Sequence, residues 1–249
     1  MTQPIIYICF AAFNEEQDLP GLLERIQKLP PQGYRYQIIA YNDGSTDGTQ
    51  QLLERFALVF PVAIIGDSRN HGLGYGINRL IDTLCETSSN NSDVAVFCDA
   101  DNSHDPETIS LMLQKIAQGS DVVIASRFQA GSSVYGFPQY RALLSRAASW
   151  YFRMLLPIKG VKDYTSGYRA YRVAALKNAK QKYGGQLIHE TGFSCQVELL
   201  SKLAPSAKID EVAMTYYYDR KLGRSKLRLL STIFRTLMVG TRIALMQKS

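Results

Sequence analysis

Long apolar runs are missing from this 249-residue chain: none approaches the roughly 18 uncharged residues that a spanning helix needs, so no transmembrane segment is expected. The N-terminus, MTQPIIYICFAAFNEE, has no basic opening and meets acid at once, so no signal peptide is expected either. Cysteine is scarce. Cys9, Cys85, Cys98 and Cys195 are far apart and form no CxxC, and they are expected to be free thiols in a reducing compartment. The phosphate-cradling GxxxxGK[ST] and the GxSxG elbow are absent, which excludes a P-loop nucleoside triphosphatase and an elbow-type hydrolase. His71-Gly72-Leu73-Gly74-Tyr75-Gly76 is not GxGxxG and follows a third strand rather than a first, so it is expected to be a helix entry and not a dinucleotide site. Acid is absent from Arg220 to Ser249, which holds eight Lys/Arg. The net charge of +6 is therefore a C-terminal property, since the remaining 20 basic and 22 acidic residues give −2. An anionic partner at that end is expected.

What is present is ordinary globular composition, 46% hydrophobic with 18 Gly and 9 Pro. Short β-rich apolar runs at Ile5–Phe10, Gln37–Tyr41, Val62–Ile65, Val94–Cys98 and Val122–Ala125 alternate with helical patterns at Gln17–Lys28, Thr46–Phe56, the segment through Cys85, and Pro106–Gln118. That alternation predicts a mostly parallel α/β sheet, with ligands bound beyond the carboxyl ends of its strands. Polar clusters fall at those ends: Asn14-Glu15-Glu16, Asn42-Asp43 and Asp99-Ala100-Asp101. Further helices are expected at Arg141–Ile158 and Phe193–Leu203, with an edge strand at Ile209–Met214. Asp163–Arg172 reads as a compact polar stretch. One catalytic domain over 1–224 is expected, followed by a basic amphipathic helix over 225–249.

Two carboxylates two residues apart, just past a buried strand, can hold a hard divalent cation such as Mg²⁺ or Mn²⁺ together with substrate phosphates. The alternative for Asp99 and Asp101 is a turn that caps the next helix, with Asp105 as the cap. His104 reads as a polar loop residue. Asp219 to Lys226 gathers four cations and a glycine in one stretch. It is either a solvated basic turn or a loop that closes on a diphosphate.

Phe13-Asn14-Glu15, Asn42 to Asp47 and Asp99-Ala100-Asp101 together resemble the nucleotide-sugar site of the family 2 inverting glycosyltransferases, which have a Rossmann-like GT-A fold. Ser126-Arg127, Val134 to Gly136, Tyr140-Arg141, Ser166 to Arg172, Asp219-Arg220 and Ser225-Lys226 look like the polyprenyl- (dolichyl-) phosphate mannosyltransferases. The resemblance covers roughly residues 4 to 235. It implies a nucleoside site at Ala11, Phe13, Glu15, Tyr41 and Asp43. Asp99, Ala100 and Asp101 would lie at sugar and metal, with Asp101 and Ser103 as metal ligands. Arg127, Arg220 and Lys226 would bind the donor diphosphate, and Arg141 and Ser145 the acceptor phosphate. The sequence departs from the family pattern at Ala11-Ala12-Phe13, Asn42-Asp43 and Asn102-Ser103.

The resemblance implies inverting transfer of a hexose, mannose, to a polyprenyl phosphate. The alternative is another donor, such as UDP-glucose, or a hydroxyl acceptor. An alcohol nucleophile needs a base, and the stretch from Gly192 to Glu198 carries no Glu-Asp pair, with Glu198 one turn inside its helix. A phosphate monoester is already an anion at neutral pH, so a basic acceptor side without a base favours lipid phosphate. Arg228, Arg235 and Arg242 recur every seven residues opposite Leu230, Ile233, Phe234, Leu237 and Leu245. That pattern suits an interfacial helix on anionic lipid at the cytoplasmic face of a membrane, beside a membrane-anchored protein partner. No nucleic-acid motif accompanies it.

Overall fold

The structure is a computed structural model that describes residues 3–31, 33–223 and 237–243. Each apolar run becomes a strand, and the amphipathic stretches before residue 224 become helices. The order is β1 (Ile5–Ala12), α1 (Leu19–Gln27), β2 (Arg35–Asp43), α2 (Thr49–Ala57), β3 (Val62–Asp67), α3 (Leu73–Thr87), β4 (Val94–Phe97), α4 (Thr108–Ala117) and β5 (Val122–Ser126). There follow β6 (Ser133–Tyr135), α5 (Gln139–Leu155), β7 (Arg169–Arg172), α6 (Val173–Lys182), α7 (Cys195–Leu203), β8 (Ile209–Ala213) and β9 (Thr215–Tyr217). The segment 237–243 is helical. No helix among the described residues is long and apolar enough to cross a membrane.

Seven strands form one sheet in the order β3-β2-β1-β4-β7-β5-β8, and β6 pairs with β9 in a small second sheet. All neighbours in the large sheet are parallel except β7, which runs antiparallel to both β4 and β5. β8 is the expected edge strand. The strand period of two divides the core into two layers. Ile6, Ile8, Phe10, Val94 and Val96 face α1, α2 and α4. Tyr7, Cys9, Ala95 and Phe97 face α3, α6, α7 and the segment 237–243. α3 enters this layer tightly. A Cβ on Gly74 would stand 1.7 Å from the Glu190 carbonyl oxygen, and Gly72 before it has φ 92°, so the glycines at 72 and 74 are required there.

The strand order reverses at β1, whose neighbours are β2 and β4. Open α/β sheets bind ligands at such a reversal, outside the carboxyl ends of the strands. Phe13-Asn14-Glu15 leaves β1 there and Asp99-Ala100-Asp101 leaves β4. The boundary expected at 224/225 lies outside the described residues, as do Lys226, Arg228, Leu230, Ile233, Phe234, Arg235 and Leu245.

Candidate active site

The acidic rim of the site is a turn between β4 and α4. Asn102 takes the left-handed conformation, φ 58°, in its middle, which Asn tolerates better than most side chains. Asp101 is buried. Its Oδ1 accepts the Ser103 backbone N–H at 3.2 Å and the Ser103 hydroxyl at 2.5 Å, and its Oδ2 accepts Lys221 Nζ at 2.8 Å. Burial pushes the Asp101 carboxyl up, but the Lys221 ammonium outweighs it and holds the group below the usual range. Among the described residues, no hydrogen bond reaches the Asp99 carboxylate, and His104 Nε2 stands 3.8 Å from its Oδ2. Burial raises its carboxyl despite the opposing charges around it, Lys221 and Arg127 among them.

His104 differs from the sequence expectation. It is buried, stacked on Tyr168 at 4.6 Å between ring centroids. Its Nδ1 accepts the Asp99 backbone N–H at 3.1 Å, while Nε2 stands 3.8 Å from Asp99 Oδ2. Burial lowers its pKa. It is a neutral brace for the turn, with its proton on Nε2. Asp105 accepts the Glu107 N–H at 3.2 Å in a turn just ahead of α4, but the N-cap of α4 is Glu107, with no side-chain cap bond, so Asp105 is not the expected cap.

The cationic side comes from distant segments. Tyr217 N–H donates to the Ser103 carbonyl at 2.8 Å, tying β9 to the acidic turn. The next residues run across the site to Lys221. Beyond it, the Leu222 and Gly223 N–H groups donate to Asp18 Oδ1 and Oδ2 at 2.6 and 3.1 Å. A Cβ on Gly223 would stand 2.8 Å from Asp18 Oδ2, so a side chain at 223 would require the Asp18 carboxylate to shift. Arg220 lies 3.3 Å over the Tyr217 ring, and its buried Nη1 has no hydrogen-bond partner among the described residues. Arg127, at the end of β5, is forked onto buried Asp163, with Nε and Nη2 each at 2.8 Å, and also reaches Thr165. Its free charge is thus partly used inside the protein, although it remains close enough to act on Asp99. Arg141 lies 5.6 Å over the Tyr218 ring, and Ser145 follows one turn later on α5, half-buried.

Where the resemblance implies the nucleoside, the loops after β1 and β2 are knitted together. Asn14 N–H donates to Ser45 Oγ, Thr46 N–H to Asn14 Oδ1, and Glu15 N–H to Thr49 Oγ1. Ala11 and Phe13 lead into this loop, half-buried, and Ala100 is buried between the two aspartates. Asp43 accepts the N–H groups of His71 and Gly72 at 2.7 and 2.9 Å, so both its oxygens orient the entry to α3. Tyr41 is not brought into the cleft. It lies in the core beneath α3, its hydroxyl donating to Asp67 at 2.8 Å. A groove of about 490 Å³ opens between Asn14, Glu16, Asp18, Asp47, Leu222 and Gly223.

Glu198, the one carboxylate inside α7, is committed to structural partners. It accepts the N–H groups of His189 and Glu190 at 2.9 and 3.0 Å and pairs with Lys202 at 3.1 Å. Burial pushes it up, but those donors and Lys202 hold its pKa down. Lys221, Asp18 and Asp163 were not singled out in the sequence. Lys221 was one of four cations in a stretch, and neither aspartate sits in a recognisable motif.

A reversal point flanked by a paired-aspartate turn, in a sheet with one antiparallel insertion, defines the GT-A class of nucleotide-sugar transferases. The fold matches glucosyl-3-phosphoglycerate synthase from Mycobacterium tuberculosis at TM-score 0.66 and 17% identity, covering 97% of this chain and 80% of that one. It also matches S. aureus TarS residues 1–349 at TM-score 0.58 and 18% identity, over 96% and 71%. The chain belongs to glycosyl transferase family 2, whose model matches residues 7–179. Among curated relatives, it is 32% identical to polyprenol monophosphomannose synthase of Mycolicibacterium smegmatis, over 88% of this chain and 80% of that one. It is 33% identical to dolichol-phosphate mannosyltransferase of Pyrococcus furiosus, over 90% of this chain but 59% of that longer protein.

Proposed function

We propose that this chain transfers mannose from a nucleotide-diphosphate sugar to a polyprenyl phosphate, with inversion at the anomeric carbon. The observation that carries this reading is the pairing of rims. The Asp99/Asp101 turn meets a cationic strand end and loop, and the helical carboxylate on the acceptor side is locked into backbone N–H groups. The names of the relatives above point the same way.

Asp101, with Asp99 beside it and Ser103 fixing its rotamer, offers the hard oxygen donors that Mg²⁺ or Mn²⁺ prefers. That its Oδ2 already takes a cation, Lys221 Nζ, fits this donor set. A divalent ion there would act as a Lewis acid on the donor's β-phosphate. The protein's own part is electrostatic. Arg220 and Lys221 face the charge that develops on the leaving diphosphate. Arg141, Ser145 and Lys226 orient the acceptor phosphate and the diphosphate. The acceptor's oxygen, already anionic, attacks the anomeric carbon as the bond to the diphosphate breaks, with no proton to remove.

The acceptor brings the enzyme to a membrane surface. α5 leaves Tyr140, Leu143, Trp150 and Met154 exposed, with Arg146 and Arg153 between them. The helical segment 237–243 packs beside it through Tyr151, whose hydroxyl contacts Leu237 and Thr241, and exposes Met238. Apolar residues interleaved with arginine suit the boundary of an anionic lipid leaflet, on the cytoplasmic face. Arg242 departs from the expected lipid-facing stripe, because it pairs with Glu190 at 2.7 Å and ties the segment to the domain.

Incubation with radiolabelled sugar nucleotides, Mn²⁺ and a polyprenyl phosphate tests the reading. Label should pass into the organic phase from a mannose nucleotide. Label confined to water-soluble product would overturn it.

A further inference from the structure

The first turn of α7 carries an amide that nothing else among the described residues engages. Gln196 as a residue is only 5% exposed, and no hydrogen bond among the described residues reaches its side chain, yet its amide atoms are not among the sealed, unpartnered polar atoms. The amide therefore keeps an opening through which a ligand hydroxyl can reach it. Its backbone is firmly placed. The fully buried Arg169 donates Nη1 to the Gln196 carbonyl and Nη2 to the Tyr164 carbonyl, each at 2.8 Å. The side chain is aimed at the site. A Cβ built on Gly167 would stand 3.2 Å from Gln196 Nε2 and 3.7 Å from Asp99 Oδ1. The bare glycine therefore floors a gap shared by an amide donor and a carboxylate acceptor.

We propose that Gln196 binds the hydroxyl groups of the transferred hexose, opposite Asp99. The proposal rests on the nucleotide-sugar reading above and deepens it. A carboxylate and an amide on one floor match adjacent hydroxyls: Asp99 accepts from one, and Gln196 Nε2 donates to the next. The acceptor phosphate does not suit this place, because the Asp99 carboxylate would repel it. A neutral amide also adds no base beside the anomeric carbon, in keeping with an acceptor that needs none.

The test is calorimetric binding of GDP, GDP-mannose, UDP and UDP-glucose with Mn²⁺ to wild type, Gln196→Ala and Gln196→Glu. In wild type the sugar should tighten binding over the bare diphosphate. Both variants should lose about 10-fold of affinity for the sugar nucleotide, since one buried hydrogen bond to a substrate hydroxyl is removed. Their affinity for the bare diphosphate should stay within about two-fold. Unchanged affinity for the sugar nucleotide overturns the proposal. So does equal loss for sugar nucleotide and bare diphosphate, which would mark Gln196 as structural, and so does a wild type that gains nothing from the sugar. Wild type that binds neither diphosphate removes the donor reading and the proposal with it. Absence of lipid-linked product alongside normal binding would remove only the polyprenyl acceptor.

Discussion

The two rims of the cleft are held in opposite ways. The acidic rim is a short turn fixed from within: Ser103 clamps Asp101, and His104 accepts the Asp99 N–H. The turn hangs directly from a buried strand at the centre of the sheet. Among the described residues, no strand beyond β9 holds the cationic rim at 220–223. Its contacts there are the ion pair to Asp101, two N–H groups on Asp18 and the stacking of Arg220 on Tyr217. The bonds of the acidic turn are made within the turn itself. The contacts of the cationic loop are made to acids that a divalent cation or a donor would also seek. In the proposed reaction the rigid rim would set where the donor's charge lies, and the lightly held rim would adjust to that charge. Arg127 is the counter-example on the cationic side, since its fork on buried Asp163 makes it part of the frame.

Breaking the rigid rim should cost most. Asp101→Ala is expected to lower kcat by about 1,000-fold or more, equivalent to about 4 kcal/mol of transition-state stabilisation. Steady-state kinetics at saturating Mn²⁺ checks this. Asp163→Asn removes the buried partner of Arg127 and is expected to cost about 3 kcal/mol in urea unfolding. The pH dependence follows from the same pair. Burial pushes the Asp163 carboxyl up, but Arg127 and the surrounding N–H donors hold it below its ordinary 3.8. Its contribution is therefore complete above about pH 4 and is lost as pH falls through the depressed folded value. Acid titration of wild type against Asp163→Asn should show the two stabilities converging below that point.

Loosening the other rim should act more gently. Lys221→Met frees Asp101 Oδ2 and should tighten Mn²⁺ binding several-fold in the absence of donor, read by the electron paramagnetic resonance of the free ion. Weaker or unaltered Mn²⁺ binding would mean that the ammonium and the metal do not compete. Asp18→Ala removes two acceptors from the loop and should raise the donor KM about five-fold with kcat nearly kept. The smallest effect is expected outside the cleft. Trp150→Ser should weaken binding to vesicles rich in anionic lipid a few-fold, measured by flotation, with donor affinity unaltered.

The comparison also explains what could be read from the sequence. The acidic rim was legible because it is local. A buried apolar run ends at Phe97, and two carboxylates follow within four residues. The cationic loop was visible as a cluster of charge, but its target was not: Lys221 and Asp101 are separated by 120 positions. β7 read as a polar stretch because Arg169 looks like a surface residue. It is buried because two backbone carbonyls from elsewhere receive it. β6 and β9 have three residues each, too short for an alternating pattern. Tyr41 shows the converse case. The family resemblance implied a place near the nucleoside, whereas the strand period turns its side chain inward beneath α3.

The account depends on one anion leaving a sugar while another replaces it from the opposite face. The anomeric configuration of the lipid-linked product, read by NMR of material made from an α-linked sugar nucleotide, tests this most directly. A β-linked glycosyl phosphate is the predicted result, and a product that keeps the α configuration would contradict it.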